Sequence, residues 1–131
     1  MRGRLWIGAI MITDTDFIAA ADRTLAAIGE ALDAALDSSD ADLDWNLIDG
    51  ILEIECGDGS KLIVNRHVPN REIWVAARSG GFHFQPRDGE WRDSRSGDEL
   101  AAALVALLRA QGGLAVPMPV LTAPAVRLPG S

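Results

Sequence analysis

The feature that most constrains this chain is a double change of hydrophobic period. From Phe17 the apolar residues fall at 17, 21, 25, 28, 32 and 36, the spacing of one helical face. Near residue 42 the period drops to 2 and stays there through six short segments. Leu100, Leu104, Leu107 and Leu108 then restore helical spacing. The order helix, six strands, helix predicts an α+β fold, a two-layer α/β sandwich with two helices on one face of a roughly six-stranded antiparallel sheet and the other face open.

Punctuation residues set the boundaries. Asp14 and Asp16 suit the positive end of the first helix, Thr15 is its expected cap, and Asp37 lies near its end, before a Ser38-Ser39-Asp40 loop. Leu43, Trp45 and Leu47 alternate with Asp42, Asp44 and Asn46, and Asp49-Gly50 turns the chain into Leu52, Ile54 and Cys56 alternating with Ile51, Glu53 and Glu55. Gly57-Asp58-Gly59, Pro69-Asn70, Gly80-Gly81 and Asp88-Gly89 separate the later strands. Ser96-Gly97-Asp98-Glu99 reads as a capping box, with Ser96 capping the second helix and Glu99 reaching back, and Gly112-Gly113 reads as its stop. Four of the six prolines fall after residue 114 without any period, which predicts a Pro-rich mobile tail over 114–131. Residues 1–12 read as a leader outside the domain of 13–113. Arg2 and Arg4 before the apolar run Leu5–Ile12 imitate an export signal, but no A-x-A site follows; the alternative is an added leader with Met11 as the native start.

Composition matters chiefly through where the charge lies. The net charge is −7, yet residues 14–58 hold 13 acids against the single base Arg23. Such a surface repels phosphate backbones and anionic lipid, so nucleic acid and membranes are excluded as partners, while cations and basic protein surfaces are favoured. At about 100° per residue, Asp22, Glu30, Asp33 and Asp37 fall in one stripe away from the apolar face, and Asp40, Asp42 and Asp44 extend it. Like charges at these spacings repel by about 0.2–0.5 kcal/mol per pair. Separate carboxylates on a convex helix suit hard cations bound weakly, with water completing the coordination; a merely solvated face would show the same charge run.

Few other residues carry chemistry. Trp74 alternates with Ile73 and Val75, which turns it toward the open sheet face with Asn65 and Glu72 as a candidate binding anchor, unless the parity is shifted and it lies in the core. His67 is expected at the surface, and His83 is expected to point away from the core between Phe82 and Phe84. The lone Cys56 reads as a small buried hydrophobe, and one thiol fits a reducing, cytoplasmic setting. There is no nucleophile elbow and no phosphate-cradling loop before a helix, so no catalytic site is expected and the chain reads as a non-enzyme.

These residues carry a family resemblance. Asn65-Arg66-x-x-Pro69-x-x-x-Ile73-Trp74-Val75-Ala76, Gly80-Gly81-Phe82-His83-Phe84, Trp91 and Ser96-Gly97 resemble the central block of the bacterial frataxin (CyaY) family. Asp22…Glu30-x-x-Asp33 and Asp42-x-Asp44 resemble its acidic ridge, and the likeness runs over about 16–112. It implies an α-β-α sandwich and an iron-binding protein of iron–sulfur cluster assembly. On that footing the iron-site candidates are Asp22, Glu30, Asp33, Asp42 and Asp44, with Asp37 and Asp40 extending the ridge; iron, Fe²⁺ or Fe³⁺, would be weakly bound. The implied partners are the cysteine desulfurase and the iron–sulfur scaffold protein, met by Asn65, Glu72 and Trp74 together with the ridge, with the chain acting as a monomer. A ferroxidase or iron-storage role is the alternative, and it would need clustered ligands that hold two irons close together. Gly29-Glu30 and Asp33-Ala34 stand where relatives often pair acids, so fewer iron sites are expected, and Gly29 itself costs about 1 kcal/mol relative to Ala in a helix.

Overall fold

The computed structural model describes residues 12–125. The leader expected over 1–12 therefore lies outside the described residues except for Ile12, which packs against the core. Helix α1 spans Asp14–Ser38 and α2 spans Leu100–Gly112, bracketing strands β1 (Leu43–Ile48), β2 (Ile51–Cys56), β3 (Lys61–His67), β4 (Glu72–Ala77), β5 (Gly80–Arg87) and β6 (Glu90–Asp93). All neighbours in the β1-β2-β3-β4-β5-β6 sheet are antiparallel, as the tight turns predict.

α1 starts two residues earlier than a Thr15 cap would place it. Thr13, not Thr15, is the cap: its backbone is extended, and its hydroxyl accepts from the Asp16 amide at 3.0 Å. Thr15 already lies inside the first turn, and a cap requires the non-helical backbone that Thr13 has. Phe17, Leu25, Ile28 and Leu32 are fully buried on the face toward the sheet, each contributing about 1.5–3 kcal/mol relative to exposure. They meet Leu52, Ile54, Leu62, Val64, Ile73, Val75 and Phe84 in one core. On β6, Trp91 donates its indole N–H to the buried Thr24 hydroxyl at 3.0 Å, so the polar atoms of that contact are paired. Asp49 (φ 51°) and Gly50 (φ 77°) both take left-handed backbone in the two-residue β1–β2 turn, the geometry that suits the twist of a hairpin.

The capping box does not form at α2. Glu99 is the cap and accepts from the Ala102 amide at 3.2 Å. Ser96 is drawn the other way: its hydroxyl donates to Asp93 Oδ2 at 2.8 Å and its amide donates to the same oxygen at 3.1 Å. The Ser96 hydroxyl oxygen accepts in turn from the Asp98 amide at 3.1 Å, so the turn held by Asp93 leaves Ser96 one amide short of the Glu99 amide that the box requires. The far end behaves as expected, with Gly113 at φ 65° and the Gly113 and Leu114 amides donating to the Arg109 and Leu108 carbonyls.

The segment after α2 corrects the expectation of a mobile tail from residue 114. Leu114, Val116, Leu121 and Ala123 are buried in the core. Thr122 pairs with Glu90, and the Ala123 amide donates to the Gly89 carbonyl at 2.9 Å. An extended strap shows no helical or strand period because single apolar residues drop into separate hollows. It also covers part of the exposed edge of β6. Residues 126–131 lie outside the described residues.

Candidate metal and docking surface

The helix period places Asp22, Glu30, Asp33 and Asp37 on the solvent side of α1, and all four are exposed. Asp40 in the linker and Asp42 and Asp44 at the start of β1 are exposed as well. The seven carboxylates are nevertheless not equivalent. Asp22 is ion-paired with Arg66 Nη1, which projects from the helix side of β3. Asp33 Oδ1 accepts a 2.9 Å hydrogen bond from the Trp45 indole. Asp44 Oδ1 accepts from the Trp45 amide at 3.0 Å. Asp42 rests on Gly57, where a β-carbon would lie 2.3 Å from its Oδ2. Among the described residues Glu30, Asp37 and Asp40 form no ion pair.

The glycine that weakens α1 has a tertiary cause. Gly29 is buried, and a β-carbon there would lie 2.7 Å and 2.9 Å from two atoms of the Trp45 ring. The missing side chain makes a notch in which the indole lies against the helix, one turn from the carboxylate it bonds. Nothing in the residue spacing announced this contact; the paired signals were a glycine inside a helix and a tryptophan on the helix side of β1.

Among the described residues no three His, Cys, Asp or Glu side chains come together as a metal group. The ridge thus offers separate carboxylates, each able to give a cation one or two oxygens while water fills the remaining positions. The clustered ligands that a ferroxidase requires are not assembled among the described residues.

The open sheet face resolves the parity of Trp74. Ile73 and Val75 are fully buried and Trp74 is on the opposite side, in a cross-strand row that runs Ile48, Ile51, Asn65, Trp74, His83. The indole is stacked between His67, at 3.6 Å between centroids, and His83, at 4.5 Å, and its N–H donates to Glu72 Oε1 at 2.8 Å. The three expected anchors Asn65, Glu72 and Trp74 therefore share one surface, and the two histidines join it. Ile48 and Ile51, 64% and 45% exposed, extend the row to the sheet edge, a feature the sequence reading passed over. Alternation places Ile51 with Glu53 and Glu55, but only the sheet order aligns it with Trp74.

Two other carboxylates stand apart from this surface. Burial pushes the Asp93 carboxyl up, but hydrogen bonds from the Ser96 hydroxyl and amide and the nearby His83 and Arg95 amides outweigh it and hold the group below its usual value. Asp58 is held far below the carboxylate range by the Ser60 hydroxyl and by Arg78, 2.8 Å away. Cys56 is free and buried. No described helix is long and apolar enough to cross a membrane.

Residues 10–114 match the sequence model of a family described as a frataxin-like domain. The chain is 47% identical over 106 residues to the iron–sulfur cluster assembly protein CyaY of Cupriavidus pinatubonensis, covering 80% of this chain and 95% of that protein. It is 44% identical over 105 residues to the corresponding protein of Burkholderia mallei, covering 80% and 96%. Among solved structures, frataxin from Psychromonas ingrahamii superimposes with a TM-score of 0.69 at 31% identity, over 81% of this chain and 97% of that one. Trimeric frataxin from Saccharomyces cerevisiae, complexed with ferrous, gives 0.63 at 26% identity, over 72% and 86%. The family match, the identity to these relatives and the superposition agree, and this chain belongs to the frataxin family.

Proposed function

We propose that the protein is a non-catalytic, iron-binding regulator of iron–sulfur cluster assembly, working as a cytoplasmic monomer. It binds iron weakly along the acidic ridge and docks on the cysteine desulfurase and its scaffold partner through the ridge and the open sheet face. Membership of a family whose relatives are iron–sulfur cluster assembly proteins supports the pathway. The observation that carries the docking reading is the segregation of charge and rings: exposed carboxylates along α1, and an Asn65–Trp74–His83 row on the uncovered sheet. Negative charge steers the protein to a basic partner and makes association salt-dependent, while the partly buried Trp74 on the uncovered sheet supplies short-range contact.

Asp37 and Asp40 are the residues on which to test this, because they form no ion pair among the described residues and are exposed. Asp37→Lys with Asp40→Lys should abolish capture by purified cysteine desulfurase at low salt and leave the melting temperature unchanged. Undiminished capture by this double variant overturns the docking model. Iron binding is tested separately, by amide broadening along residues 30–44 on anaerobic addition of Fe²⁺.

A further inference from the structure

The two edges of the sheet differ. Along β6 runs the strap, with Thr122 bridging to Glu90 and the Ala123 amide donating to the Gly89 carbonyl. Among the described residues no strand pairs with the outer side of β1. The direction of its backbone groups follows from β2. The Cys56 amide donates to the Ser60 carbonyl and the Gly50 carbonyl accepts from the Arg66 amide, so the even-numbered residues of β2 face β3. The odd ones, Ile51, Glu53 and Glu55, face β1 and engage their register partners Ile48, Asn46 and Asp44. The amides and carbonyls of Leu43, Trp45 and Leu47 therefore point away from the sheet. β1 lacks the usual guards of such an edge: its register is unbroken, and residues 43–48 include no proline, lysine or arginine.

What guards this edge is charge. Asp44 Oδ1 accepts from the outward Trp45 amide at 3.0 Å. Asp44 also lies directly opposite Glu55, and among the described residues neither carboxylate is in an ion pair, since the Lys61 amine goes to Glu53. A second copy of this chain would bring its own Asp42 and Asp44 toward these groups, which disfavours self-pairing. A basic strand meets the opposite situation. Its Lys or Arg draws the carboxylate off the Trp45 amide and gives it a new partner, while that amide gains a main-chain one. At the other end of β1 the exposed Ile48 and Ile51 offer apolar contact on the open face. We propose that the outer edge of β1 takes a basic, extended segment of a partner protein as an added strand, with Lys or Arg at Asp44 and an apolar residue at Ile48. This rests on the docking reading above and adds the form in which the basic partner binds, by main-chain pairing at one edge.

The probe is a blocked peptide of alternating lysine and valine, added to the full chain and followed by hydrogen exchange of the β1 amides, residue by residue. In the free protein the Leu47 amide should exchange at least about tenfold faster than those of Asn46 and Ile48, which pair with β2, and the peptide should slow it selectively. A Leu47 amide already protected in the free chain overturns the proposal, because the chain itself then occupies the edge. N-methylation of one alternate set of peptide amides should weaken binding at least about tenfold, the scale of two net hydrogen bonds, and methylation of the other set should spare it. Equal effects of the two sets overturn the added strand, since attraction between charges alone would give them. Replacing lysine by threonine should weaken binding at least about tenfold, and Asp44→Ala should narrow that gap; a gap untouched by Asp44→Ala overturns the pairing at Asp44. Purified cysteine desulfurase should protect Leu47 as the peptide does. Capture that leaves Leu47 exchangeable overturns the added strand and leaves the docking reading standing, whereas failure of capture overturns both.

Discussion

Gly29 and Trp45 are complementary: a β-carbon on Gly29 would lie 2.7 Å from one indole carbon of Trp45 and 2.9 Å from the next. A glycine costs about 1 kcal/mol in a helix interior, and here that cost is tied to one ring on the facing strand. Gly29→Ala gains helix propensity but must push out a rigid bicyclic ring. It should lower stability by about 1 kcal/mol net and shift Trp45 emission toward that of a solvated indole. In a Trp45→Ala background the same change should become stabilising, by up to about 1 kcal/mol. A thermodynamic cycle in urea measures both, and additive effects would deny the contact.

Asp93 predicts an acid limb. Its folded carboxyl is held below the ordinary value, so its contribution is fully present above about pH 4 and is lost as pH falls from there toward the folded value. Asp93→Asn should cost about 1–3 kcal/mol at pH 7 by weakening the bonds to Ser96. The gap between variant and parent should narrow below pH 4. Melting temperatures across pH 3 to 7 test the sign, and a gap that widened toward acid would contradict it.

The strap after α2 should be structural. Removing residues 114–131 strips Leu114, Val116, Leu121 and Ala123 from the core, a loss of roughly 3–5 kcal/mol. It also uncovers β6 and should promote aggregation. Val116→Asp should reproduce much of the loss without shortening the chain. Denaturation of the two variants beside the parent decides the point, and an unaffected midpoint would return the segment to the status of a tail.

Trp74 should be separable from stability. It is only partly buried on the uncovered face, so Trp74→Ala should lower the melting temperature modestly while weakening desulfurase capture at least about tenfold, as loss of an interface anchor does. His83→Ala, which uncovers the Trp74 ring, should alter capture with less effect on folding. Capture unchanged by both substitutions would remove the sheet face from the interface.

What the sequence determined by itself is whatever depends on spacing along the chain. The change from period 3.6 to 2 located both helices and all six strands, and Asp49-Gly50 and Gly113 located turns and a helix end because left-handed backbone selects those residues locally. It also placed Asp22, Glu30, Asp33 and Asp37 on one exposed stripe, since helical geometry fixes direction. The tertiary structure decided everything that depends on competition between distant partners. Ser96 failed as a cap because its turn onto Asp93 aims its oxygen at the Asp98 amide, and the proline-rich segment docked because hollows in the core await Leu114, Val116, Leu121 and Ala123. Arg66 committed Asp22, and Trp45 committed one oxygen of Asp33, so a ridge that reads as uniform in one dimension is divided into free and engaged carboxylates in three. Periodicity reports which way a side chain points; only the packed fold determines what it meets there.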